Sequence, residues 1–206
     1  MRRLIASAAV WLLVGCSAEP VATPSTQELP AGYRTAVFAG GCFWCMEPPF
    51  DKQPGVLDTR SGFAGGAQPN PSYRAVTAGG TGHLEVVQVS YDPKVVSYEA
   101  LLAIFWRNID SLDDGGQFCD RGDSYRTAIF VADAAQRDAA LASLEQLSGR
   151  FAPAPVVTRV LDLPASGFSE AEAYHQDYYL ENPLRYKYYR RSCGRDRRLA
   201  EVWGDP

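Results

Sequence analysis

The apolar run from Tyr33 to Ala39 breaks on Gly40 and Gly41 and continues as GCFWCMEPPF, in which Pro48 and Pro49 stand side by side. Few local structures accept that string. A proline pair is tolerated in a helix's first turn, where N–H groups have no internal partner, so the spacing predicts a buried strand handing over to a helix that begins near Cys45 or Met46. The glycines supply the sharp turn between them. Cys42 then lies at a helix N-terminus, where exposed N–H groups favour an anion and lower a thiol's pKa. Phe43 and Trp44 put aromatic faces beside the sulfur, a setting suited to an apolar, polarisable group.

Strand and helix signals alternate along the rest of the chain. Val56 to Phe63 reads as a strand stopped by Gly65 and Gly66, and PNPSY from Pro69 to Tyr73 as a turn leading into a short helix. His83 to Tyr91 alternates as a half-buried strand. Ser97 caps an amphipathic helix with Leu101, Leu102, Phe105 and Ile109 on one face. Tyr125 to Ala132 is a strand, Ala134 to Leu147 a helix ending at Gly149, Val156 to Leu163 a strand, and Ser169 caps a helix through Tyr179. After Pro183 no period emerges. Interleaved strands and helices over one core indicate an α/β or α+β domain, which 206 residues with 46% hydrophobic content can build.

Residues 1–15 pair Arg2 and Arg3 with an apolar stretch from Leu4 to Val14, the pattern of a secretory leader, too short for a membrane span. The leader ends in LLVGC, which resembles a bacterial lipobox and implies a lipid on Cys16. Ser17 is not the aspartate associated with inner-membrane retention, so the expected destination is the outer membrane, facing the periplasm. Residues 16–31 carry the lipidated Cys16 and a Pro-, Ser-, Thr- and Ala-rich tether, and residues 32–206 form the domain. The formal charge is −4, more negative still without the leader arginines, which argues against a nucleic-acid partner.

Of five cysteines, Cys42, Cys45, Cys119 and Cys193 remain for the domain. An even count in an oxidising compartment permits structural disulfides, but Cys42 and Cys45 would close only a tiny loop, and such a pair is more often redox-active or separately employed. Glu85, in GHLE, is a solvent-facing strand residue or, buried by aromatic walls, a carboxyl raised enough to serve as a general acid. Tyr73 and Tyr125 are two of 11 tyrosines, and Asp120 in DRGD fits ordinary turn chemistry. The two histidines, His83 and His175, have no partners at zinc spacing, so no metal is expected.

Taken in order, GCFW (Gly41 to Trp44), Glu47, GFAGG (Gly62 to Gly66), PNPSY, TGHLEVVQVSYDP (Thr81 to Pro93), DRGDSYRTAIF (Asp120 to Phe130) and AEAYHQDYYLENP (Ala171 to Pro183) resemble the A class of peptide methionine sulfoxide reductases. The resemblance implies a two-layer α+β plait, ferredoxin-like, around a mixed sheet, with a long irregular C-terminal tail. It implies reduction of the S epimer of methionine sulfoxide in proteins and peptides. Cys42 would attack sulfur, Glu85 protonate the oxygen, and Tyr73 and Tyr125 hydrogen-bond it. Phe43 and Trp44 would hold the S-methyl group, and Asp120 would orient the site. The resulting sulfenic acid would be resolved as a disulfide by the tail thiol Cys193, with Cys45 and Cys119 as alternative resolving or relay thiols. No cofactor is implied. Oxidised proteins or peptides would be the substrates, a thioredoxin-fold periplasmic dithiol the reductant, and the protein a monomer. The chain departs from the family pattern at Cys45, where glycine is usual, at Ser124, where glutamine is usual, and in LRYKYYRRSCGRDRR, where a glycine-rich tail is usual. Two other readings stay open: a thiol-disulfide oxidoreductase using Cys42 and Cys45, and a non-catalytic envelope lipoprotein stapled by disulfides.

Overall fold

A computed structural model describes residues 29–204; the leader, Cys16 and most of the tether lie outside the described residues. The proposed strand-to-helix handover is present. Strand β1 (Arg34–Gly40) leads through Gly41, at φ +79°, into helix α1 (Phe43–Asp51). Then follow β2 (Val56–Ala64), α2 (Tyr73–Thr77), β3 (Leu84–Tyr91) and α3 (Tyr98–Arg107). A small hairpin, β4 (Gly116–Gln117) with β5 (Asp120–Arg121), precedes β6 (Thr127–Val131), α4 (Ala134–Phe151), β7 (Arg159–Asp162) and β8 (Ser169–Glu170). The chain closes with α5 (Tyr178–Glu181), α6 (Pro183–Ser192) and α7 (Arg195–Trp203).

The main sheet runs β7-β6-β1-β3-β2-β8. Its pairs are antiparallel except β6 with β7, so the sheet is mixed, as expected of the plait. Period 2 explains why β1 reads as a continuous apolar run: both faces are covered. Ala36 and Phe38 face α1, α3 and α4, while Val37 and Ala39 join Val86, Phe130 and the segment bearing Phe168 on the other side. Phe38 is fully buried and stacks at 5.2 Å on both Phe50 of α1 and Phe105 of α3, locking the helical layer to the sheet.

Four expectations change. Helix α1 starts earlier than near Cys45, because Cys45 N–H closes a tight first turn on Cys42 O at 3.0 Å. Pro48 and Pro49 therefore lie inside the helix, a break in internal bonding that nine residues packed on the sheet absorb. Gly149 does not stop α4, which continues to Phe151. The segment opened by Ser169 is an edge strand pairing Phe63 with Ser169, and its helix is only the short α5. The tail is not irregular but two helices hinged at Gly194, with φ +71°. Helix α6 has no fully buried residue, which is why its sequence shows no apolar period. Its partner α7 is pinned by Arg195, 1% exposed, which donates to Asn108 O at 2.6 Å and sits 4.4 Å over the ring of Phe118.

Candidate active site

Strand parity places the first carboxyl. Val87, Val89 and Tyr91 of β3 face the helical layer, and Glu85 shares their parity, opposite Phe63 of β2. Its side chain therefore meets the start of α1 instead of solvent. Glu85 is 1% exposed, and its Oε2 accepts the Phe43 N–H at 3.2 Å. Burial is the largest influence on it and, with the charge of Asp120, pushes it up to about 8 despite that hydrogen bond. At neutral pH Glu85 is an acid with a proton to give.

Around it stand the other expected residues. Tyr125 ends a single 3-10 turn just before β6, and its phenol adjoins Glu85 and Tyr73. Tyr73 opens α2, which Ser72 caps through Ala75 N–H at 3.3 Å, and its own N–H donates to Glu172 Oε1 at 3.0 Å. Burial and the Glu85 charge raise both phenols, Tyr73 to about 12, so each remains a hydroxyl at any ordinary pH.

The aromatic wall is built from α1 and the segment before α5. Phe43 lies 5.0 Å from the His175 ring and 6.3 Å from Tyr73. The half-buried Trp44 stacks on Tyr178 at 3.7 Å and donates its indole N–H to His175 Nδ1 at 3.1 Å. An indole can only donate, so the His175 proton sits on Nε2. Burial lowers the His175 pKa and keeps the ring neutral.

Cys42 occupies the N-cap position of α1 and is free, 6% exposed. Here the expectation of a lowered thiol pKa is corrected. Burial, the hydrogen bond to Cys45, and the charges of Cys45, Glu85 and Asp120 hold the Cys42 thiol well above its ordinary value. The Phe43 N–H, which would have served an anionic sulfur, is engaged by Glu85.

Several residues at the site had no role in the sequence reading. Tyr189 of α6 donates its hydroxyl to Asp120 Oδ2 at 2.5 Å, stands near Cys42, and meets Trp44 edge-on at 5.8 Å. Its position four residues before Cys193 puts both on one helical face, a spacing legible only once the tail is known to be helical. Glu47, 0% exposed and bonded by Ser61 Oγ at 2.7 Å, is pushed by burial to about 8. His175, weighed in the sequence as a possible metal ligand, is the partner that fixes Trp44. Cys193 pairs with Cys119 as a disulfide, Cys45 remains free, and Cys119 is exposed at the surface.

Two buried thiols, a raised carboxyl, two phenols and an aromatic wall thus converge where β1, β3 and α1 meet, with a disulfide at the edge. A family model described as peptide methionine sulfoxide reductase matches residues 34–206. The chain is 49% identical over 205 residues to "Peptide methionine sulfoxide reductase MsrA 2" of Caulobacter vibrioides, covering 99% of this chain and 100% of that one. Mxr1 of Saccharomyces cerevisiae in reduced form superposes with a TM-score of 0.69 at 31% identity, covering 75% of this chain and 88% of that chain. Mxr1 in complex with Trx2 shares the fold at a TM-score of 0.53 and 22% identity, covering 75% of this chain and 91% of that chain. The chain belongs to the peptide methionine sulfoxide reductase family.

Proposed function

We propose that the protein reduces methionine sulfoxide in proteins and peptides to methionine, acting on the S epimer. The observation that carries this reading is the buried Glu85, its Oε2 on the Phe43 N–H at the start of α1, beside the buried, free Cys42; burial pushes that carboxyl up to about 8. A sulfoxide sulfur becomes electrophilic when its oxygen can leave as a protonated group. Cys42 attacks that sulfur while Glu85 gives its proton to the oxygen, and the proton that the Cys42 thiol loses restores the Glu85 carboxyl. Tyr125 and Tyr73, neutral and linked to Glu85, hydrogen-bond the oxygen as charge develops on it. Phe43 and Trp44 receive the S-methyl group, and Asp120, through Tyr189, orients the sulfur side of the site. Methionine leaves and Cys42 remains as a sulfenic acid.

The oxidising equivalent leaves the site as a disulfide involving Cys193, and an external dithiol of the thioredoxin type reduces it. Mxr1 has been captured with Trx2, and the Cys119–Cys193 bond, with Cys119 exposed, offers such a reductant access. Residues 1–15 act as a leader, Cys16 as the lipidated anchor and the segment to residue 31 as a tether, holding the domain on the periplasmic side of the outer membrane. The reductant there is a periplasmic dithiol. Metabolic labelling with palmitate should mark the wild type and not Cys16→Ala; labelling independent of Cys16 contradicts the anchor. The reaction is tested by the conversion of dabsylated methionine sulfoxide with dithiothreitol as reductant. Turnover should vanish in Cys42→Ser, and turnover that survives the loss of that sulfur removes the mechanism.

A further inference from the structure

Helix α6 covers the site with one face and leaves the other without a partner. Tyr186, Tyr189 and Arg190 are half-buried against the body of the domain. On the opposite side stand Leu184 and Tyr188, four apart and so neighbours along the helix, 81% and 76% exposed. At 3.6 residues per turn Arg185 flanks this apolar stripe on one side and Lys187 and Arg191 on the other, and all three are exposed. Arg190 is held by Asp196, but Arg185, Lys187 and Arg191 form no ion pair among the described residues. No acid stands between Glu181 and Asp196, in a chain whose formal charge is −4. Tyr174 and Leu180, in the segment that leads into α6, are exposed as well.

The pairing of an apolar stripe with free cations selects the partner. A nucleic acid offers phosphates to the cations and nothing to Leu184. A bilayer with anionic headgroups takes both: a helix lying in the interface plane sinks its apolar stripe to the headgroup–acyl boundary, while the long basic side chains beside it reach the phosphates. Elsewhere the chain is net acidic and is repelled by that surface, so the encounter favours this one face. Such a surface is also within reach of the expected anchor, because Cys16 stands 13 residues before Leu29, a span of at most about 45 Å.

We propose that the outward face of α6, through Leu184, Tyr188, Arg185, Lys187 and Arg191, docks on an anionic phospholipid surface. The contact is weak by itself, since each basic side chain near an anionic membrane adds about fivefold in affinity, and it acts beside the Cys16 anchor. Docking lays the domain down with α6 towards the bilayer. Trp44 meets Tyr189 of α6 at 5.8 Å, so the aromatic wall of the site then stands about one helix diameter from the headgroups. On the reductase reading, this puts the site beside oxidised polypeptides at the membrane surface; the docking itself does not depend on the reaction.

The test places the mature full chain on vesicles of phosphatidylcholine, alone or with one-third phosphatidylglycerol, at low salt, and acetylates its lysines with a water-soluble reagent. The chain has three lysines, Lys52, Lys94 and Lys187, all exposed. Lys52 and Lys94, in the turns after α1 and β3, are the internal controls. With phosphatidylglycerol present, the Lys187 rate should fall about fivefold or more relative to theirs and recover at high salt. The double variant Arg185→Glu, Arg191→Glu, altered at exposed positions outside the site, should lose that protection and keep wild-type turnover of a soluble methionine sulfoxide peptide. Lys187 reacting alike on both kinds of vesicle overturns the docking. Protection that is equal on both, or that grows with the protein-to-lipid ratio, assigns the face to a second copy of the chain and overturns it too. For a chain without lipid the same ratio is read with the vesicles added at millimolar lipid, so the anchor and the docking fail separately. Absence of turnover in the wild type removes the reductase reading and leaves the Lys187 ratio to decide the docking.

Discussion

Burying Glu85 as an acid should make stability depend on pH in a way one substitution removes. Its carboxyl is raised from 4.5 to about 8, chiefly by burial. Between those values the folded chain holds one proton more than the unfolded chain, so unfolding releases a proton and stability falls as pH rises. The stabilisation is fully present below the unfolded pKa and is lost as pH rises through the folded one. The slope is about 1.4 kcal/mol per pH unit, and integrating both titrations from pH 5 to pH 7 gives a loss of about 2.5 kcal/mol. Glu85→Gln keeps the shape and has no such proton. Glu47, also raised to about 8, is present in both proteins and cancels in their difference. In urea unfolding with the Cys119–Cys193 bond intact, the stability of the variant minus that of the wild type should therefore rise by about 2.5 kcal/mol from pH 5 to pH 7 and level off above about pH 8. A difference that stays constant over this range would mean that Glu85 is ionised in the folded protein, and the general-acid assignment would fall.

The same proton sets the kinetics: wild-type kcat/KM should fall about tenfold per pH unit above about pH 8, and Glu85→Gln should lower it by about 10²- to 10⁴-fold and abolish that limb. A basic limb that persists in the variant would assign it to another group. Tyr125→Phe and Tyr73→Phe should each reduce kcat by about 10²-fold with little change in KM, measured with peptide substrate; a pure KM effect would make them binding residues. Phe38→Ala, which removes a ring stacked between α1 and α3, should destabilise the fold by about 3–5 kcal/mol in urea titration, and a loss below about 1 kcal/mol would contradict its placement in the core.

Where a residue's environment is decided by local period, the sequence reading reached the structure. The alternation through β3 is enough to put Glu85 and Val87 on one face, and the glycines before Cys42 mark the handover from β1 to α1. Residues whose environment depends on distant packing were not legible in that way. Helix α6 rests on the site through half-buried Tyr186, Tyr189 and Arg190, so its pattern is polar all round, and Tyr189 looked like one tyrosine among many. The Cys119–Cys193 pairing joins residues 74 apart, a separation that spacing rules cannot bridge. The Cys42 thiol was misjudged because a helix terminus is visible in sequence and desolvation is not: burial and neighbouring negative charge prevailed over the dipole. Ser169 has the chemistry of a helix cap, but pairing with Phe63 at the sheet edge draws its segment into a strand.

The most direct test of the account is to supply the R and S epimers of a methionine sulfoxide peptide separately, with dithiothreitol, and follow methionine release by wild type and Cys42→Ser. The account predicts turnover of the S epimer alone, absent from the variant. Turnover of neither epimer by the reduced wild type, or equal turnover of both, would contradict it.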